Sequence, residues 1–232
     1  MAGLVTHLIT AREVIKLLPA GTIKDEGLFY AGSIAPDAVH SRENFVRADK
    51  KHTHLRDDIL DRDFMKDYYM SLFCQRVVDF ILENKTRRDG LFDAYRGYVV
   101  HLLTDELNIL TMRQESVLMM EKEGISQGDI EFFHNVVEDM NRNDIYLAHN
   151  YAEMNEIGLS LERVKPFQIE GMVSEFEITD TKEWVLQRYF RETHEVIEPI
   201  YISFDRTLDF ISMSAANIAR RLCRGGDLPR MF

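Results

Sequence analysis

Gly97-Tyr-Val-Val-His101-Leu-Leu-Thr-Asp105-Glu-Leu107 is the stretch on which the fold turns. Val99, Val100, Leu102, Leu103 and Leu107, with Ile109 and Leu110 beyond, make a helix that is apolar nearly all round, the pattern of a helix enclosed by other helices. His101 and Asp105 are four residues apart and share one face of it. An ionised carboxylate at that depth is costly unless it is paired or set against a cation. Two readings follow from the segment alone: a hydrogen-bonded Asp–His pair in the core, or two metal ligands.

Working outward, the helical period continues. Leu4, Val5, Leu8, Ile9, Val14, Ile15, Leu17 and Leu18 predict a first helix that Pro19 and Gly21 end. Phe64 to Asn84 and Leu91 to about Glu123 read as long helices, the second stopped by Gly124. Further helices are expected from Ser126 or Gln127 through Met140, from Asp144 to Glu156, from Asp180 or Thr181 to Glu195, and from Asp205 to Cys223 before Gly225-Gly226. Between Gly27 and Asp63 the pattern breaks, and Gly32, Pro36, Asp37 and Ser41 read as a long irregular connection. Strand-like alternation is nearly absent. The expected fold is all-α: one multi-helix domain over 1–232, with a long irregular loop after the first helix.

The 28 basic and 39 acidic residues leave a formal net charge of −11. Such a surface argues against a nucleic-acid partner or an anionic membrane, either of which needs a basic face. No apolar run reaches the roughly 18 residues that span a bilayer, and Met1 to Leu8 lacks the pattern of a signal peptide, so the expected place is the cytoplasm. Cys74 and Cys223 form no C-x-x-C pair, which sets aside a disulfide framework or thiolate zinc site; each reads as a small buried apolar residue.

Phe132-Phe133-His134-Asn-Val-Val-Glu138-Asp139 repeats the His and carboxylate pair at four-residue spacing. Two helices, each turning such a pair inward, are how metal centres are built in helical bundles. Nitrogen and oxygen donors without thiolate suit Zn²⁺, and also Mn²⁺ or Fe²⁺. His7 on the first helix, Asp37 after Pro36, and His52 or His54 in the polar run could complete a site. Their plainer readings are a core histidine, an Asx turn and a solvated loop. Arg42, Arg47, Lys50 and Lys51 in the same stretch read as a solvated face, with phosphate steering as the alternative. The methionines, Met119-Met120 among them, and Trp184 read as packing; Arg220, Arg221 and Arg224 complement the dipole of the last helix.

Thr6-His7, Gly32-Ser-Ile-Ala-Pro-Asp37, Lys51-His52-Thr-His54-Leu55, His101-x-x-x-Asp105 and His134-x-x-x-Glu138, in that order, resemble the bacterial zinc-dependent phospholipase C family, which is related to the single-strand-specific zinc nucleases. The resemblance runs from His7 to Glu138, a little over half the chain. It implies that Asp37, His54, His101 and Asp105 hold one zinc, that Asp105 bridges to a second bound by His7, and that His134 and Glu138 hold a third. It also favours His54 over His52 and makes Asp37 the residue that orients or deprotonates the attacking water. Two positions depart from the family. Its secreted members use the amine of an N-terminal tryptophan as a ligand, where this chain begins Met1-Ala2-Gly3, and a histidine six residues after the bridging aspartate is here Thr111. One or two metal ions are therefore expected rather than three, with Asp139, His149 or His194 as possible substitutes for the missing ligand.

The function expected is hydrolysis of a phosphate ester, on a small molecule or a phospholipid, by water activated on a divalent metal. The alternative is a helical domain that binds metal for stability without turnover.

Overall fold

In the computed structural model, residues 2–223 are described. Ten α-helices follow one another: α1 (Leu4–Leu17), α2 (Glu26–Ile34), α3 (Arg47–Thr53), α4 (Asp67–Asn84), α5 (Phe92–Leu110), α6 (Met112–Lys122), α7 (Ile130–Asn150), α8 (Met154–Glu162), α9 (Glu175–Leu186) and α10 (Phe204–Cys223). A 3₁₀ segment, Ala35–Ser41, extends α2, and a π turn, Gln187–Arg191, extends α9. The only β pairing among the described residues is an isolated bridge between Ile169 and Val173. The architecture is all-α, as the apolar periodicity predicts. Among the described residues no helix is long and apolar enough to cross a membrane.

α5 runs through the middle. From Asp93 to Asn108 every residue except Arg96 is buried. Its most extensive packing is against α2, and two glycines make the approach possible. A Cβ on Gly32 would lie 2.0 Å from the Ala94 carbonyl oxygen, and one on Gly97 would lie 2.0 Å from that of Phe29. Backbone meets backbone there, with no flexible side chain to yield.

The stretch from Gly27 to Asp63, expected as irregular, is largely helical instead. Asp25 caps α2 by accepting from the Leu28 N–H, and Gly27 and Gly32, read as breaks in the sequence, are contact points inside that helix. The single helix expected from Leu91 to Glu123 is broken at Thr111, where the backbone leaves the helical region (φ −125°, ψ −88°). Conversely, the boundary expected between Met140 and Asp144 does not exist, because α7 runs through it.

The first turn of α1 is secured from α7. Its N-cap is Gly3, which has no side chain to satisfy the exposed N–H groups. Asp144 supplies the acceptor, taking hydrogen bonds from the Val5 N–H (3.0 Å), the Thr6 N–H (3.1 Å) and the Thr6 hydroxyl (2.9 Å). Burial pushes the Asp144 carboxyl up to about 6 against these three donors.

On the far side of α5, Arg221 of α10 pairs with Glu106, and the Cys74 thiol lies 3.6 Å from the same carboxylate. Arg221 is thus a buried ion-pair partner rather than a complement to the dipole of α10. Cys223 is exposed, against the expectation of a buried residue, while Cys74 is buried. Met120 is buried, but Met119 and Trp184 are substantially exposed. Arg224 and Gly225-Gly226 lie outside the described residues.

The α2–α5 contact gives a direct test. Gly97→Ala places a methyl group into the Phe29 carbonyl, and urea unfolding should show a loss of about 1–3 kcal/mol. Helix propensity alone would make the same change stabilising by up to ~1 kcal/mol, so an unchanged or higher midpoint would disprove the close approach.

Candidate metal centre

α5 presents His101 to α2, fully buried. Its Nδ1 lies 2.8 Å from the Ser33 carbonyl oxygen, which can only accept, so Nδ1 carries the proton. Nε2 is then a bare lone pair. His54 follows α3 and is 3 % exposed. Its Nδ1 is 3.1 Å from the Thr53 hydroxyl, whose single proton is donated to the carbonyl of Pro36 or Lys50. His54 therefore donates from Nδ1, and its Nε2 is turned into the cluster. The end of α3 is held in register by the Tyr98 hydroxyl of α5, which donates to the Thr53 carbonyl.

The two Nε2 atoms face each other at 3.3 Å. Burial holds His101 well below the ordinary imidazole value, as does His7 beside it, so its Nε2 carries no proton. That lone pair is open to a proton or a metal ion placed between the two rings.

Around them stand the other donors. His7 of α1 stacks on His101, ring centroids 3.7 Å apart and planes at 10°. It is completely buried, and neither ring nitrogen has a hydrogen-bond partner. Its Nε2 is 3.5 Å from Asp105 Oδ1, which accepts the Ala2 N–H at 2.9 Å. Asp37, in the 3₁₀ segment, places Oδ1 3.4 Å from His54 Nε2 and Oδ2 4.0 Å from His101 Nε2. Asp105 Oδ2 is 3.6 Å from His54 Nε2. Burial opposes ionisation of both carboxyls. For Asp37 the ammonium of Lys50 and the facing His54 overcome it, and for Asp105 the neighbouring His7 helps to do so, so both lie well below the usual carboxylate range.

Two overlapping groups, His7–His101–Asp105 and Asp37–His54–His101, can each hold a metal ion. With metal–ligand bonds of about 2.1 Å, a tetrahedral site has ligand edges of about 3.4 Å, and separations of 3.3–3.6 Å recur here. His101 has one free lone pair, so it serves one ion at a time. A second ion would rest on His7 and Asp105.

Five residues named from the sequence thus converge: His7, Asp37, His54, His101 and Asp105. His134 and Glu138 do not. Both are exposed on α7, Glu138 paired with Arg142 and His134 beside Phe133. The buried stripe of α7 is Phe132, Asp139, Asn143, Asp144 and Leu147. At about 100° per residue, His134 and Glu138 fall on the opposite side. The suggested substitutes are also engaged elsewhere: Asp139 accepts the N–H groups of Ile200, Tyr201 and Ile202, and His149 and His194 face backbone carbonyls. His52 is exposed and bonded to Asp57 and the Gly171 carbonyl, which leaves His54 as the loop residue in the cluster.

Asp37 also lines a cavity of about 360 Å³, with His40, Asp144 and Asp180 as further polar groups and Leu4, Val137, Met140, Trp184 and Tyr189 as an apolar wall. The cluster therefore has a route to solvent. Sequence reasoning missed Lys50 as a partner of Asp37 and Asp144 as the anchor of α1; neither stands in a motif, and both act across long sequence separations. Comparison of the chain with family models, curated proteins and solved structures finds no match.

Neutral buried His101 sets a pH dependence. In the unfolded chain it titrates near 6.5, whereas in the fold it titrates well below that. Its contribution is complete above 6.5 and declines as the pH falls through and below that value. The urea midpoint of the metal-free protein should fall from about pH 7 to about pH 5.5, and His101→Gln should flatten the slope. Asp144, raised to about 6, acts in the opposite direction over this range, so the difference between the two chains is the readout. A slope unchanged in His101→Gln would contradict a neutral buried imidazole.

Proposed function

We propose that the protein is a divalent-metal-dependent hydrolase of a phosphate ester, with zinc as the preferred ion. The observation that carries the reading is the convergence of the Nε2 atoms of His54 and His101, 3.3 Å apart, with two buried carboxylates beside them. Three nitrogen and two oxygen donors without sulfur suit zinc, and also manganese or iron(II).

A phosphodiester is anionic and a poor electrophile. A bound divalent ion would supply charge neutralisation and a water of pKa about 7. His54, His101 and Asp37 would hold one ion, while His7 and Asp105 are placed for a second. Ser33 and Thr53 fix the two imidazole rings through Nδ1, so neither ring must reorient to bind. Asp37, at the cavity wall with a depressed carboxyl, acts as ligand and orienting acceptor rather than as a strong base. The apolar cavity wall suits a substrate with an apolar substituent, whether a lipid or a small soluble ester.

The second reading, a metal-stabilised domain without turnover, draws support from His134 and Glu138 facing outward, which removes the third ion of the phospholipase C-like pattern. Metal analysis and a phosphodiester reporter separate the two. The expected result is one or two zinc, manganese or iron ions per chain, and hydrolysis of bis(p-nitrophenyl) phosphate that falls at least ~100-fold in His101→Ala and on chelation. Stoichiometric metal that raises the melting temperature without turnover on diesters or monoesters would select the second reading. Absence of bound metal would overturn both.

A further inference from the structure

Five arginine and lysine side chains lie between α2 and Asp61, and four are committed elsewhere. Arg42 is held by Glu177, Asp49 and the Met172 carbonyl. Arg47 and Arg56 pair with Asp61, and Lys51 donates to the Ile59 carbonyl. Lys50 turns onto Asp37, its Nζ donating to Oδ1, the same oxygen that faces His54 Nε2. The same Nζ lies 3.3 Å from His40 Nε2. His40 and Asp37 both line the cavity, so the ammonium stands between the buried cluster and the place a substrate would occupy.

We propose that Lys50 is an exchangeable counter-ion, bound to Asp37 without metal and transferred to a phosphoryl oxygen of the substrate once a divalent cation takes Asp37. The inference rests on the metal-dependent reading above and names the residue that would receive the substrate's phosphoryl group. Lys50 balances the charge of Asp37, the carboxylate that a divalent ion would take. Once the ion holds Asp37, the ammonium is left beside Asp37 and His40 at the cavity they line, where a phosphoryl oxygen is its new partner. Attraction between Lys50 and Asp37 also opposes the incoming metal, both by occupying the carboxylate and by like-charge repulsion at short range.

The test uses the full chain with Lys50→Met, Lys50→Gln and Lys50→Arg, each checked by circular dichroism for the wild-type helical signal. Zinc and manganese affinities are read by competition with a chelating dye, and inorganic phosphate is titrated as an inhibitor of diester hydrolysis. Removing the charge should tighten metal binding about tenfold and weaken phosphate inhibition about tenfold, with KM for the diester raised; Lys50→Arg should stay near wild type. Equal metal affinity in wild type and Lys50→Met, or unchanged phosphate inhibition, would overturn the exchange while leaving the metal site standing. A wild-type chain that binds no metal would overturn both. A purely structural lysine would lower the melting temperature and weaken metal binding, the opposite sign.

Discussion

The Ser33 carbonyl bonded to His101 Nδ1 is the contact from which the centre of this protein is built. It exists because α2 and α5 approach until backbone touches backbone, and Gly32 and Gly97 are the two positions that allow it. The bond has an electronic consequence as well as a geometric one. A carbonyl cannot donate, so it fixes the imidazole tautomer and commits Nε2 to be an acceptor. Thr53 likewise makes Nδ1 of His54 the donor and turns Nε2 into the cluster. Helix packing thereby sets the proton inventory of the cluster before any ligand is considered.

That inventory is unusual for a protein interior. Two imidazole nitrogens face one another at 3.3 Å, a third imidazole has neither nitrogen bonded, and two carboxylates remain ionised under nearly complete burial. Each is a cost that a core normally avoids by bonding or neutralising the group. One such group could be tolerated as an isolated strain. Five converging from α1, the 3₁₀ segment, the end of α3 and α5 call for a common partner of positive charge, and Lys50 meets that demand at Asp37. The Arg221–Glu106 pair on the other face of α5 makes the contrast plain: there a buried carboxylate has its own guanidinium.

Much of this was legible in the sequence, and the limits have physical causes. The all-round apolar character of α5 fixed its enclosure, and the His101–Asp105 spacing placed both on one face. His7, Asp37 and His54 came from short patterns in an order that the fold brings together. The same four-residue spacing misled for His134 and Glu138. Spacing states that two residues share a face but not which face is inward, and α7 is amphipathic where α5 is not. Phe133 makes the side of α7 next to His134 look apolar, yet it is exposed, and the buried stripe includes Asp139 and Asp144. Glycine misled in the opposite direction. Gly27 and Gly32 read as punctuation, but they are there to let helices approach, which only the partner helix reveals.

α7 does contribute to the centre, through a residue no ligand pattern contains. Asp144 holds the N–H groups of Val5 and Thr6 and so fixes the start of α1, the helix that stacks His7 upon His101. The carboxylate also complements the positive end of that helix, at a cap position where Gly3 offers nothing. A Cβ on Gly3 would lie 2.2–2.4 Å from the Asp144 carboxyl group, so the glycine is required by the aspartate rather than by its own backbone freedom. The sequence signal for a metal centre is therefore concentrated in its ligands, while its geometry depends on glycines and a carboxylate whose roles are visible only when the helices are assembled. Replacing a ligand deletes a donor; replacing Gly3, Gly97 or Asp144 leaves every donor present and displaces the helix that carries it.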